Sequence, residues 1–182
     1  MQDPPLHAPS LHALSAVVAR EWLRDGRIAA RDYVDALLAR VARTPELNAF
    51  AFLDAERIRA DAQDRDAERR SGRALGPLHG LPVAIKDNID VAGEPTTAGT
   101  PALRTHRPTR DAEVVRRLRA AGAIPFGKTV MHELAYGLTS NNAAFGPVRN
   151  PYDTTRIAGG SSGGTAAALA ARLVPLGLGT DT

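Results

Sequence analysis

The chain has 182 residues, of which 43% are hydrophobic and 4% aromatic, with a formal net charge of +3 and no cysteine. That length and composition fit one ordinary domain with a core of Ala, Leu, Val and Ile. The lack of cysteine excludes disulfides, thiolate catalysis and cysteine-ligated metals. Only two of the 23 basic residues are lysines, Lys86 and Lys128. The arginines alternate with acids, as from Arg57 to Arg70, which describes a solvated helical face more than a nucleic-acid footprint. Met1 to Ser10 carries prolines and no apolar stretch of signal-peptide type, and no segment has the apolar length of a membrane span. The expectation is a cytoplasmic protein with a loose N-terminal arm.

In chain order, Ser10 or Ser15 is placed to cap a first helix with Leu11, Leu14, Val17, Val18 and Leu23 on its helical period, ending near Gly26. A second helix is expected from about Arg31 to Ala42, with Tyr33, Val34, Leu37, Leu38 and Val41 inward. Asn48 to Leu53 alternates as a short strand. A charged helix follows from Asp54 to Arg70 and stops at Ser71-Gly72. The texture changes at Gly76, where glycine and proline begin to punctuate short apolar runs. Leu81 to Lys86 predicts a buried strand, Asp90 to Gly93 a turn, and Asp111 to Ala121 an amphipathic helix with Val114, Val115 and Leu118 on one face. A strand starts at Ile124-Pro125-Phe126, a short helix is expected over Val130 to Tyr136, and a long loop from Gly146 to Gly160. Gly163 to Arg172 predicts a helix, and Leu173 to Leu178 a buried strand. Strands alternating with helices argue for an α/β sheet.

Two features carry chemistry. The first is Gly159-Gly160-Ser161-Ser162-Gly163-Gly164-Thr165, directly before an alanine-rich helical run. Its glycines admit positive φ and close backbone approach, and its amides suit an anion-binding nest. A capped turn with Ser161 or Ser162 as N-cap is the plainer reading. The phosphate-binding pattern fails, because no lysine follows the glycines. The second feature is Lys86, at the end of an apolar strand. Asp87 and Asp90 are near enough in sequence to make it an ordinary ion-paired lysine. Burial among apolar neighbours would instead lower its pKa and make it a base. Neither His79 nor His132 has sequence neighbours that suit a Ser-His-Asp system, and no pattern has metal-ligand spacing. No metal and no cofactor are expected.

Several segments together resemble the amidase signature family. Pro77 to Asn88 (Pro-Leu-His-Gly-Leu-Pro-Val-Ala-Ile-Lys-Asp-Asn) and Thr96 to Thr100 look like its lysine segment. Ala123 to Thr129 and Phe145 to Asp153 continue it. Gly159 to Thr165 and Leu176 to Thr182 match the signature itself. The match runs in order from about Ser10 to Thr182. The resemblance implies a Ser-cisSer-Lys triad, in which Lys86 is the base and Ser161 a bridging serine that follows a cis peptide bond. Ser162 would be a supporting serine. The family's nucleophile lies in a Gly-Gly-Ser after Asp-Thr, so the matching position is the third beyond Thr182. Thr182 itself matches the first backbone amide of the oxyanion hole.

The segment Met131-His132-Glu133-Leu134-Ala135-Tyr136-Gly137 resembles stand-alone amidases of the indoleacetamide hydrolase kind. It departs from the Met-Asp-Glu-Phe-Ala-Met-Gly pattern of the glutaminase subunit of the tRNA-dependent amidotransferase. Ala135, Tyr136 and Gly137 match a stretch that lines the acyl pocket in family members. The expected architecture is an α/β amidase-signature fold, a mixed β-sheet with helices on both faces, truncated before the nucleophile loop. Residues 1–75 would form a helical N-terminal segment, and residues 76–182 the first part of an incomplete single-domain core. The expected function is hydrolysis of a carboxylic amide by the parent protein, this chain alone being inactive. The alternatives are a glutaminase subunit of the amidotransferase and a non-catalytic fragment. The expected partner is a small-molecule amide, without nucleic acid or membrane, and a homo-oligomer is compatible with the sequence.

Overall fold

The computed structural model describes residues 10–181. Its elements in chain order are α1 (Ala16–Arg24), α2 (Ala30–Ala42), β1 (Phe50–Phe52), α3 (Ala55–Arg70), β2 (Pro82–Lys86), α4 (Glu113–Ala120) and β3 (Ile124–Thr129), then four short strands, β4 (Asn141–Asn142), β5 (Gly146–Pro147), β6 (Arg149–Asn150) and β7 (Asp153–Ile157), and finally α5 (Gly163–Ala170) and β8 (Leu176–Leu178).

The main sheet has the order β1-β3-β2-β8. The central strand β2 runs parallel to both β3 and β8, while β1 is antiparallel to β3. A parallel strand covered on both sides reads as a continuous apolar run, and β2 is buried at every position. Alternation divides its side chains between the two faces. Ala84 joins a core that includes Leu37 of α2, Ile58 of α3 and Ala167 of α5. Val83 and Ile85 pack instead with Val115 of α4. The sheet is therefore mixed, with helices on both faces. The first core contains residues from either side of Gly76, which lies in the loop between α3 and β2.

Local chemistry sets the helices. Ser15 caps α1, its hydroxyl accepting the Val18 N–H at 3.3 Å. The expected single helix from Ser10 is split, because a 3-10 turn at Leu11–Ala13 ends on an extended Leu14. Val17, expected inside, is 58% exposed, and Ala19 and Leu23 are the residues α1 buries. The inward set of α2 matches its helical period in Tyr33, Val34, Leu37 and Leu38, with Val41 only half-buried. Helix α3 buries only Ile58, Ala62 and Asp66, spaced four apart along one narrow stripe.

The N-cap position of α2 is Ala29, whose side chain has no oxygen. Its cap comes from α3. The Asp66 carboxylate accepts from the Ala30 N–H at 2.8 Å and the Arg31 N–H at 3.0 Å. A carboxylate there satisfies two of the N–H groups that a helix start leaves unpaired, and it faces the positive end of the helix dipole. This explains a buried acid in an otherwise solvated helix.

Four further sequence expectations are corrected. Val130 to Tyr136 is not a helix but extended chain followed by a single 3-10 turn, Glu133–Ala135, with Leu134 and Ala135 at φ +52° and +59°. Gly146 to Gly160 is not one loop, since β6 and β7 pair as a hairpin. The Asn150 and Asp153 side chains accept backbone N–H groups two residues on and build its turns, and Thr154, Thr155 and Ile157 supply β-branched strand residues. The last strand shrinks to Leu176–Leu178 and is only half-buried. Val114 of α4 faces solvent, leaving Val115 as the residue that helix buries. Among the described residues no helix is long and apolar enough to cross a membrane.

Replacing Asp66 with Ala should lower the stability by about 1 to 2 kcal/mol, the usual worth of a good cap. The check is the urea midpoint, and an unchanged midpoint would remove the tertiary cap from the account.

Candidate active site

The end of β2 sends two consecutive charged side chains to opposite faces of the sheet. Lys86 and Asp87 are 0% and 1% exposed. On one side, Lys86 Nζ lies 2.7 Å from Ser161 Oγ and 2.7 Å from Thr180 Oγ1, with the Thr180 carbonyl oxygen at 3.4 Å. On the other side, Asp87 pairs with Lys128 of β3 at 3.2 Å and accepts the Thr97 N–H at 3.2 Å together with the Thr97 hydroxyl. Lys128 also donates to the Pro95 carbonyl at 2.9 Å and the Thr96 hydroxyl at 2.8 Å. Both lysines of the chain are thus fully buried, and the Asp87 ion pair of the plainer reading belongs to Lys128.

The serine loop connects β7 to α5. Gly159 has φ +81°, and the Gly160–Ser161 peptide is cis. Backbone and side-chain anchors hold it. The Ser161 carbonyl accepts the His132 N–H at 3.0 Å and the Ser140 hydroxyl at 3.4 Å, and Ser140 Oγ accepts the Gly163 N–H at 3.0 Å. The Gly164 N–H donates to the Val130 carbonyl. A Cβ at Gly164 would collide with the Val130 and Ala49 carbonyl oxygens, so glycine is what lets α5 start against the end of β3. Ser162 is tied in both directions to Thr180, its hydroxyl donating to the Thr180 carbonyl and accepting the Thr180 N–H, each at 3.2 Å. Buried hydroxyls of Thr129 and Thr165, 2.7 Å apart, join β3 to α5 beneath the loop.

Burial pushes the Lys86 pKa below the ordinary lysine value, and the carboxylate of Asp181 opposes that fall only in part. Lys128 is likewise pushed down by burial, with Asp87 and then Glu94 countering. A buried amine that meets a hydroxyl at 2.7 Å is equipped to take its proton. The serine run also fits Gly-x-Ser-x-Gly, but among the described residues the side chain bonded to Ser161 Oγ is a lysine, not a histidine. His79 is buried, with Nδ1 3.7 Å from Glu68, and burial lowers its pKa.

A cavity of about 420 Å³ opens at Ser161, lined by Gly160, Asp181 and the run Ala135 to Leu138. The structure therefore brings Lys86, Ser161 and Ser162 together and puts Ala135, Tyr136 and Gly137 on the cavity wall beside Ser161. Tyr136 is 92% exposed along that wall. Thr182 lies outside the described residues. Among those described, no group of three or more His, Asp or Glu side chains is placed to hold a metal ion. Sequence reasoning missed Thr180 and Asn88, whose amide donates to Thr180 Oγ1 at 3.1 Å. The available signal was position, since Thr180 follows the strand that pairs beside Lys86, and Asn88 is two residues beyond that lysine.

A model of the family described as Amidase matches residues 32–182. The chain belongs to the amidase family. It is 50% identical over 164 residues to the AtzE subunit of the 1-carboxybiuret hydrolase of Pseudomonas sp. strain ADP, a match covering 89% of this chain and 36% of that one. It is 47% identical over 173 residues to one subunit of the glutamyl-tRNA(Gln) amidotransferase of Chloroflexus aurantiacus, covering 94% and 36%. Among solved amidase-like structures, that of an unexpected vestigial protein complex bearing on the origins of an s-triazine catabolic enzyme superposes with a TM-score of 0.90 at 47% identity, covering 93% of this chain and 37% of that one. The chain spans about a third of the length of the curated relatives it matches.

Within this amidase segment, replacing Lys128 with Met strands the buried Asp87 carboxylate. The expected loss is about 3 to 5 kcal/mol of stability, read as a fall in the denaturation midpoint. The double replacement Lys128→Met with Asp87→Leu should recover much of that loss, and equal damage from both proteins would contradict the pairing.

Proposed function

We propose that the whole protein hydrolyses carboxylic amides to the acid and ammonia, using Lys86 as base, Ser161 as proton relay and Ser162 as the support that ties the loop to Thr180. The observation that carries this reading is the fully buried Lys86 amine 2.7 Å from Ser161 Oγ. The attacking serine is the one the family pattern puts three positions after Thr182. Its hydroxyl proton passes to Ser161, and the Ser161 proton passes to neutral Lys86. The serine oxygen bonds to the amide carbon, and the tetrahedral oxyanion rests on backbone amides, that of Thr182 among them. Lys86 and Ser161 return the proton to the departing nitrogen, ammonia leaves, and water cleaves the acyl-enzyme. The bridging serine carries a proton over a distance the lysine does not span directly. The acyl group would occupy the cavity beside Ala135, Tyr136 and Gly137, whose 420 Å³ suits a small linear amide. By this reading the 182-residue chain on its own turns over no amide.

A second reading, a glutaminase component of a tRNA-dependent amidotransferase, is favoured by the 47% identity to the Chloroflexus amidotransferase protein over 94% of this chain. The segment Met131 to Gly137 argues for the first, since it departs at His132, Leu134 and Tyr136 from the pattern of that glutaminase.

Ammonia release by the whole protein from indoleacetamide, phenylacetamide, aliphatic amides and glutamine tests both. Release should fall by about 100- to 10,000-fold in Lys86→Ala. The base must be neutral to act, and burial lowers its pKa, so the rate should rise with pH through an inflection below 10.5 and then level off. Release that survives Lys86→Ala, or that falls as pH rises from neutral, counts against the triad. Turnover of glutamine only, and only with co-purifying proteins, would select the second reading.

A further inference from the structure

Whether Lys86 can serve Ser161 turns on the direction of its hydrogen bond with Thr180 Oγ1. A neutral lysine has two N–H donors and one lone pair. Around Lys86 Nζ stand the Thr180 carbonyl oxygen, which can only accept, and two hydroxyls, those of Ser161 and Thr180, each at 2.7 Å. If the Thr180 hydroxyl donates to Lys86, it occupies the lone pair, and Lys86 then faces Ser161 as a donor. If the Thr180 hydroxyl accepts from Lys86, the lone pair is left for the Ser161 proton. The second polarity is the one a base requires.

Asn88 sits on the far side of that hydroxyl, its carboxamide 3.1 Å from Thr180 Oγ1 through Nδ2. In this orientation Thr180 Oγ1 faces two N–H groups, and Asn88 Oδ1 is a buried atom with no hydrogen-bond partner among the described residues. A carboxamide presents either its oxygen or its nitrogen after a half-turn of its last bond. With Oδ1 turned to Thr180, the hydroxyl proton has an acceptor other than Lys86.

We propose that Asn88 is a positioning residue, which accepts the Thr180 hydroxyl proton through Oδ1 and so leaves the Lys86 lone pair facing Ser161. This rests on the amidase reading above. Among the described residues the Asn88 side chain hydrogen-bonds to Thr180 and to neither Lys86 nor Ser161, so its action runs through Thr180. The charged group facing Lys86 is Asp181, and Asp87 points away to Lys128.

The test is steady-state kinetics of the whole protein on its best amide, with circular dichroism to confirm folding of each variant. Asn88→Leu should lower kcat by about tenfold or more while KM stays within about twofold, the pattern of a lost transition-state contribution. Asn88→Asp keeps an acceptor but adds a charge that holds the Lys86 proton, so its activity should be low at neutral pH and return as pH is raised. In a Thr180→Val background, which has no hydroxyl to orient, adding Asn88→Leu should change nothing further. Wild-type kcat in Asn88→Leu, an undiminished effect in the Thr180→Val background, or an Asn88→Asp protein inactive at every pH would overturn the proposal. If Asn88→Leu fails to fold, the Asn88→Asp pH profile decides alone.

If the wild-type protein releases ammonia from no amide, it is the amidase reading that fails. The orientation is then read from the Nζ resonance of Lys86 in lysine-labelled protein, assigned by its loss in Lys86→Met. Its titration midpoint should fall in Asn88→Leu, because the freed hydroxyl turns to the amine, and should not respond to Asn88→Leu in the Thr180→Val background. An unchanged or raised midpoint in Asn88→Leu would refute the orientation.

Discussion

The burial of the Lys86 amine against Ser161 is the constraint around which the rest of this structure is arranged. An ammonium removed from water is costly without strong compensation, and a buried lysine meets that cost by losing its proton. Among the described residues the groups hydrogen-bonded to Nζ are hydroxyls and a carbonyl, with no carboxylate. Burial in that setting favours the neutral amine over the ammonium. The neighbouring Lys128 is the contrast, since it is buried as deeply but is supplied with Asp87 at 3.2 Å. One strand end therefore places its two ionisable side chains in different settings, Lys86 among hydroxyls and Asp87 against Lys128.

Holding the contact requires three pieces of chain to meet. The central strand β2 delivers Lys86, the loop before α5 delivers Ser161, and the chain after β8 delivers Thr180. Parallel pairing of β2 with β8 brings the first and third together. Gly164, against the Val130 and Ala49 carbonyls, lets α5 start close enough to bring in the second. Ser140 and His132 then fix the Ser161 carbonyl from the opposite side. The helices α1 to α3 give none of the hydrogen bonds at the amine and serve the sheet, with Asp66 capping α2 from α3.

Much of this was legible in the sequence because the relevant signals were local. The strand Leu81 to Lys86 is a continuous apolar run, α2 is periodic, and Gly163 to Arg172 is an alanine run behind a glycine stretch. Lys86 and the loop with Ser161 and Ser162 stood out singly as candidates, but only the family resemblance joined them into one candidate site, since nothing in spacing alone brings residues 86 and 161 together. What was not legible depended on tertiary partners. The cap of α2 comes from a residue 36 positions away. Val130 to Met131 carries helical-looking apolar residues but is extended, because its backbone is taken by Ala49, Gly164 and Asn142. The β6–β7 hairpin was hidden by the absence of an Asn-Gly or Asp-Gly turn. Thr180 and Asn88 were invisible because their importance lies in a hydrogen-bond geometry at Lys86 that no pattern of residue types announces.

The most direct test of the account is the titration of Lys86 itself. In the whole protein labelled at lysine, the Nζ signal absent from Lys86→Met is that of the amine at Ser161. The account predicts a midpoint clearly below 10.5, the ordinary lysine value. A midpoint at or above that value would mean that Lys86 stays a charged ammonium at Ser161, and its proposed role as base would be lost.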